Sequence, residues 1–147
     1  MQKDDKALIR SRLVEGALSE YDGRLARQNA LVYSKIARYE FPTDWPDAIT
    51  SLLDALRSQG DAKRSENALL LLLQVTKELS TGRLARTRQN LQAVTPEIIR
   101  VVGARYVAYV DSWRYLINED SSNPDIDTGL KGSLLCIKTL RRLLITG

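Results

Sequence analysis

Residues 29–53, NALVYSKIARYEFPTDWPDAITSLL, decide how the whole chain is read. Between Leu31 and Tyr39 the apolar positions Val32, Ile36 and Tyr39 fall at helical spacing. Pro42 then stops the helix, because proline lacks an N–H and pushes the preceding Phe41 out of the α region. Thr43 or Asp44 can accept hydrogen bonds from the free amides that open a second helix, and Pro46 stands where a first-turn proline is tolerated. Pro42, Trp45 and Pro46 therefore define a structural turn, with Trp45 as its packing wedge.

Working outward, helical periodicity covers nearly everything. Residues 4–20 place Ala7, Leu8, Leu13, Val14, Ala17 and Leu18 on one stripe, and Asp22-Gly23 breaks it. Residues 24–40 carry a wide apolar arc of Leu25, Ala26, Ala30, Val32, Tyr33, Ile36, Ala37 and Tyr39, which implies neighbours on two sides. A third helix is predicted over 45–59, ended by Gly60 and Asp61 as C-cap and new N-cap. The fourth, 62–80, contains five consecutive leucines, Leu69 to Leu73. Successive helical residues point about 100° apart, so this helix must be sandwiched between layers. Residues 83–94 read as a basic helix or frayed connection, after which Thr95 caps a helix over 96–117 with Pro96 in its first turn. Residues 118–127 are turn-formers and predict a solvated loop, with Asp125 or Asp127 capping a last helix over 128–145. No segment reads as a strand pair.

Two short patterns recur. Asn29-Ala30-Leu31 returns as Asn67-Ala68-Leu69, and Pro46-Asp47-Ala48-Ile49 returns as Pro96-Glu97-Ile98-Ile99. A period near forty, close to the roughly 40–47 residues of HEAT and armadillo units, predicts an all-α superhelix of about three helical hairpins, approximately 4–40, 45–80 and 96–145, in one repeat segment over 1–147. Each hairpin needs neighbours to cover its leucines, so both ends should expose apolar surface.

Composition narrows the function. The 147 residues include no histidine, which removes the usual general base and the commonest metal ligand, so neither catalysis nor a metal or cofactor is expected. The single cysteine, Cys136, lies among Leu134, Leu135 and Ile137 and reads as a buried, inert thiol. Starting from Asp125, the residues at the sixth and twelfth positions of a calcium loop are Leu130 and Cys136 instead of glycine and glutamate, and residues 129–133 lack phosphate-loop spacing. The longest apolar run, 68–73, is far shorter than the ~20 residues that span a bilayer, so membrane insertion is not expected. Lys and Arg number 22 against 18 Asp and Glu, a net charge of +4 dispersed along the chain. With aromatics at 6%, no base-stacking platform and no direct nucleic-acid binding is expected. What remains is a basic stripe on the second helix. Arg27, Ser34 and Arg38 lie within about 40° of one another, with Lys35 beside them, a surface suited to an acidic partner. On the fourth helix the polar side reads as Lys63, Asn67, Gln74 and Glu78.

The central stretch also carries a resemblance. A helix ending in Ser34-Lys35-Ile36-Ala37-Arg38, then Phe41-Pro42 and Asp44-Trp45-Pro46, resembles the second and third repeats of the importin-beta (karyopherin-beta) nuclear transport receptors. Val75-Thr76-Lys77-Glu78-Leu79 with Arg83-Leu84 and Arg88 resembles the importin-eleven branch, and the likeness runs from about Ile9 to at least Trp113. It implies a HEAT-repeat segment from the N-terminal region of a longer receptor. It also implies partners: the GTPase Ran in its GTP form, protein cargo, and phenylalanine-glycine repeat proteins of the nuclear pore. Localisation would be nuclear and cytoplasmic, with the helices at 24–40 and 62–80 contributing to the Ran-binding arch.

Overall fold

The computed structural model describes residues 3–58, 61–82 and 84–146. They form six α-helices, α1 (Lys3–Ser19), α2 (Gly23–Glu40), α3 (Thr50–Arg57), α4 (Ala62–Ser80), α5 (Ala85–Glu119) and α6 (Asp125–Thr146). Among the described residues there is no strand. Central to the packing is α4, which touches all five other helices. It lies between α2 and α6 in one layer; α3 and α5 pack on each other in the second, and α1 rests on α2 and α4. Three successive helix pairs in two layers give an all-α superhelix of the HEAT kind.

The leucine run explains the centre. Leu69, Leu71, Leu72 and Leu73 are buried while Leu70 is half-buried, so the helix has apolar contacts around most of its circumference. Each buried leucine contributes about 1.5–3 kcal/mol. Asp61 caps α4 by accepting from the Lys63 amide at 3.0 Å, as expected, whereas Gly60 lies outside the described residues. Asp22 likewise caps α2, accepting from the Arg24 and Leu25 amides at 2.9 and 3.3 Å.

Several sequence expectations need correction. The wide arc of α2 is in fact a narrow inner stripe: Ala26, Ala30, Tyr33 and Ala37 are buried, but Leu25, Val32 and Tyr39 are exposed. Alanines present little bulk, so α2 can lie close on α4 without the larger side chains turning inward. On α1, Ala17 and Leu18 are buried and Leu13 and Val14 pack against the core, but Leu8 is exposed. The third helix starts at Thr50, not Trp45, and its first residues carry no side-chain cap from Thr43 or Asp44. Instead, residues 46–49 form turns, and the Tyr33 hydroxyl donates to the Ala48 carbonyl, holding this segment against α2.

The largest departure is α5, a single helix of 35 residues with Pro96 inside it. Thr95 is not a cap; its hydroxyl donates to the Leu91 carbonyl one turn back at 2.9 Å. An interior proline removes one backbone hydrogen bond, here the one to the Gln92 carbonyl, and costs about 3 kcal/mol. Gln92 and Pro96 both face solvent, so water can satisfy that carbonyl. Leu91, Ile98 and Val102 are buried on one face and hold both halves of the helix to the core. At the other end α5 runs on to Glu119, and α6 begins at Asp125, so the loop is only residues 120–124. There the side-chain acceptor is Asn123, which takes the Asp125 amide at 2.9 Å, with Asp125 and Asp127 in the helix's first turn.

On α6 the buried positions are mostly small: Ser133, Cys136 and Thr139, with Leu143. Ser133 and Thr139 return their hydroxyl protons to the Gly129 and Leu135 carbonyls at 2.8 and 2.9 Å, which satisfies them locally. A Cβ on Gly132 would stand 2.4 Å from the Tyr109 ring of α5, so only glycine lets these helices meet here. Leu130, Ile137 and Leu144 remain exposed on α6, as do Leu25 and Val32 on α2.

Candidate partner-binding surface

Among the described residues no helix is long and apolar enough to cross a membrane, and no group of three His, Cys, Asp or Glu could hold a metal. Cys136 is fully buried, and burial pushes its thiol up to about 12, outweighing the opposite pull of Arg105. At neutral pH it is protonated and not nucleophilic.

The four polar positions singled out on α2 do not form one solvent stripe. Ser34 is fully buried and its hydroxyl donates to the Leu31 carbonyl at 2.8 Å. Lys35 and Arg38 are brought together by Glu78 of α4, both donating to the same carboxylate oxygen at 2.9 and 3.0 Å. Burial of Glu78 tends to raise its pKa, but hydrogen bonds and charge from Lys35 and Arg38 outweigh this and hold the carboxyl below its ordinary value. Arg27, two turns back, is exposed and borders a separate groove of about 260 Å³ with Lys63 of α4 and Lys131 of α6. Lys63 pairs with Glu66 there at 3.7 Å.

The turn residues have clear places. Trp45 is buried and stacks on Tyr33, ring centroids 4.7 Å apart and planes 46° apart, while Pro42 and Pro46 are exposed. Trp45 and Pro46 also border a cleft of about 590 Å³ between α1 and residues 44–58. Its wall includes Val14, Leu18 and Ala55, and Arg10 and Arg64 near it are paired with Glu40 and Glu15 at 2.7 and 2.8 Å.

Two residues that sequence reasoning put on the polar side of α4 are structural. Asn67 is buried and donates to the Leu18 and Glu20 carbonyls at 3.0 and 2.7 Å, satisfying the C-terminal end of α1. Glu78 is the counter-ion of α2. The recurrence of Asn29 as Asn67 did not mark a shared environment, since Asn67 is buried and Asn29 only half-buried; the Glu78 pairing left no signal, because it depends on how α2 registers against α4.

An all-α two-layer stack of helix pairs, whose polar side chains gather along the seams between helices, defines a helical-repeat binding protein. Comparison with known proteins gives the family. The family model for Exportin 1-like protein matches residues 24–142, and the chain belongs to this family of importin-beta-like nuclear transport receptors. It is 33% identical over 150 residues, 99% of its length, to the importin beta-like protein KAP120 of Saccharomyces cerevisiae, and 29% identical over 149 residues to Importin-11 of Homo sapiens. Among solved structures it is similar to Lph2, described as a novel bidirectional nuclear transport receptor in S. cerevisiae, with a TM-score of 0.82 and 33% identity over 99% of this chain. The chain spans 14% of KAP120 and 15% of Importin-11, about one-seventh of these relatives.

Proposed function

We propose that residues 1–147 are a continuous run of HEAT-like hairpins in a receptor that carries protein cargo into the nucleus, contributing to Ran-GTP and cargo binding without catalysis of its own. The observation that carries this reading is the family match over residues 24–142, supported by likeness to a transport receptor along nearly the whole chain. The surface of the α2–α4–α6 layer is the side offered to Ran and cargo, with Arg27, Lys35 and Arg38 of α2 at one edge. Ser34 supports that edge from within through its bond to Leu31. On the other layer, the cleft beside Trp45 has the apolar wall that a phenylalanine of a pore repeat needs. Such a receptor shuttles between nucleus and cytoplasm.

The test is direct binding of the full-length protein to Ran loaded with a non-hydrolysable GTP analogue, with GDP-loaded Ran as control. Selective binding of the GTP form, weakened by Arg27→Glu with Lys35→Glu, is the expected result. Equal or absent binding of both forms would replace this reading with a HEAT-type scaffold that has no GTPase partner.

A further inference from the structure

On the α6 side of α4 lies a groove of about 310 Å³, lined by Leu73 and Lys77 of α4 and by Lys138, Arg141, Arg142 and Ile145 of α6. Among the described residues no acidic side chain lines it. Lys77, Lys138 and Arg141 are exposed, and among the described residues none of their side chains is paired with a carboxylate. Lys138, Arg141 and Arg142 occupy a single turn of α6, where like charges three and four residues apart repel. Lys77 adds to that repulsion from the facing helix. Lys77, Lys138 and Arg141 thus bring three positive charges to one groove, whereas the neighbouring cations Lys35 and Arg38 share the Glu78 carboxylate.

We propose that the α4–α6 groove binds an extended acidic segment of a partner protein, with Lys77, Lys138 and Arg141 taking its carboxylates and Leu73 and Ile145 taking an apolar side chain between them. Charge complementarity fixes the sign of the occupant. Ile145 is exposed at the groove and Leu73 lies in its wall, which gives an apolar side chain of the ligand a place to be covered. No aromatic ring lines the groove, so the bases of a single-stranded nucleic acid would find no stacking partner. The groove belongs to the α2–α4–α6 surface proposed above for Ran and cargo and gives that surface an acidic ligand at a place distinct from the Arg27, Lys35 and Arg38 edge.

The experiment uses the full-length protein and a fluorescein-labelled decapeptide of eight glutamates and two central leucines, followed by fluorescence anisotropy. Parallel probes are a lysine-for-glutamate version of the peptide, a version with serines for the leucines, and a ten-nucleotide polyuridine RNA. Saturable binding of the acidic peptide is expected, weakened about tenfold by Lys138→Glu with Arg141→Glu and about threefold by Lys138→Gln with Arg141→Gln. Binding should weaken by a similar factor between about 50 and about 300 mM salt. Serine in place of leucine should also weaken it, and Arg24→Glu on the exposed face of α2 should leave it unchanged. Circular dichroism melting of each variant verifies folding, and the glutamine pair keeps the test valid should the glutamate pair unfold. The proposal is overturned by no peptide binding, by equal binding to the glutamate and glutamine variants and the parent, or by RNA binding more tightly than the peptide. It is also overturned by a concentration-dependent dimer that the same substitutions abolish, which would make a second copy the occupant. Ran binding measured on the same variants separates the two readings, since loss of peptide binding with Ran binding intact bears on the groove alone.

Discussion

Two seams flank α4 on one surface of the molecule, and they handle positive charge in opposite ways. Towards α2, Lys35 and Arg38 converge on one oxygen of Glu78, whose side chain is only 11% exposed. Towards α6, Lys77 faces Lys138 and Arg141 across an open groove that no acidic residue lines among the described residues. Lys77 and Glu78 are adjacent in sequence, and a turn of about 100° per residue sends one charge to each seam. At the α2 seam the paired charges tie the packing of alanines on leucines together and hold Lys35 and Arg38 in place at the exposed edge. The α6 seam keeps its charge unspent, as a surface does when its counter-ions arrive with a partner. A difference of one position along α4 thus divides charge that is paired within the fold from charge that has no carboxylate partner among the described residues.

The sharpest way to break the comparison is to unseat α6. Gly132→Leu would drive a side chain into the Tyr109 ring, where even a Cβ would come within 2.4 Å. Overpacking of this kind costs about 3 kcal/mol. Thermal melting should show a loss of about 10 °C. Acidic-peptide binding at the α6 groove should fall together with the melting temperature. A variant that melts like the parent would show that α5 and α6 are not held at this distance.

Next in size is Asn67→Ala. Asn67 spans from α4 to the end of α1, and removing its amide leaves the Leu18 and Glu20 carbonyls without that partner, the former in a buried setting. A loss of about 2 kcal/mol is expected by denaturant titration, with an unchanged slope. Its twin in sequence, Asn29, is only half-buried, with no such bond among the described residues, and Asn29→Ala should cost well under half as much.

These elements also mark what the sequence could and could not disclose. The helix stop at Phe41-Pro42, the sandwiched α4, the burial of Trp45 and Cys136, and the receptor family were all legible, because each depends on local chemistry or on a contiguous motif. The unbroken α5 was not. Thr95-Pro96-Glu97 has the local form of a helix start, and only the burial of Leu91 and Ile98 on either side of it overrides that form. Helical phase placed Ser34 with Arg27 and Arg38, yet Ser34 sits just inside the boundary of the α4 contact. The sequence places Glu78 with Lys63, Asn67 and Gln74 on one polar side of α4, whereas in the structure Asn67 and Glu78 are buried and Glu78 faces α2. The basic side of α2 could be read from one helix, but the α4–α6 groove needs the mutual placement of two helices 60 residues apart in the chain.

Glu78→Gln probes the α2 seam itself. The partners Lys35 and Arg38 are 60% and 38% exposed, so solvent screens the interaction and the expected cost at neutral pH is about 1 kcal/mol. The pH dependence carries the diagnosis. Because the folded carboxyl sits below its ordinary value of 4.5, the unfolded chain binds this proton first as pH falls. The stability is therefore fully present above about pH 5 and is lost as the pH drops through the folded pKa. Unfolding measured across that range should show a shallower acid limb for Glu78→Gln than for the parent. Identical limbs would mean that Lys35 and Arg38 do not hold Glu78 in solution.

The smallest effect on stability is expected where charge is greatest. Lys138→Gln with Arg141→Gln removes two exposed cations that have no carboxylate partner among the described residues. Surface substitutions of this type stay within about 0.5 kcal/mol, and relief of like-charge repulsion on one helical turn favours a slight gain. Melting should shift upward by about 1 °C at low salt, and the shift should vanish at high salt as screening removes the repulsion. A loss of several degrees would mean that the two side chains brace α6 against α4, and the two seams would then be alike in kind. An unchanged or raised melting temperature with weakened peptide binding would separate them, since only a recognition surface loses its ligand while keeping its fold.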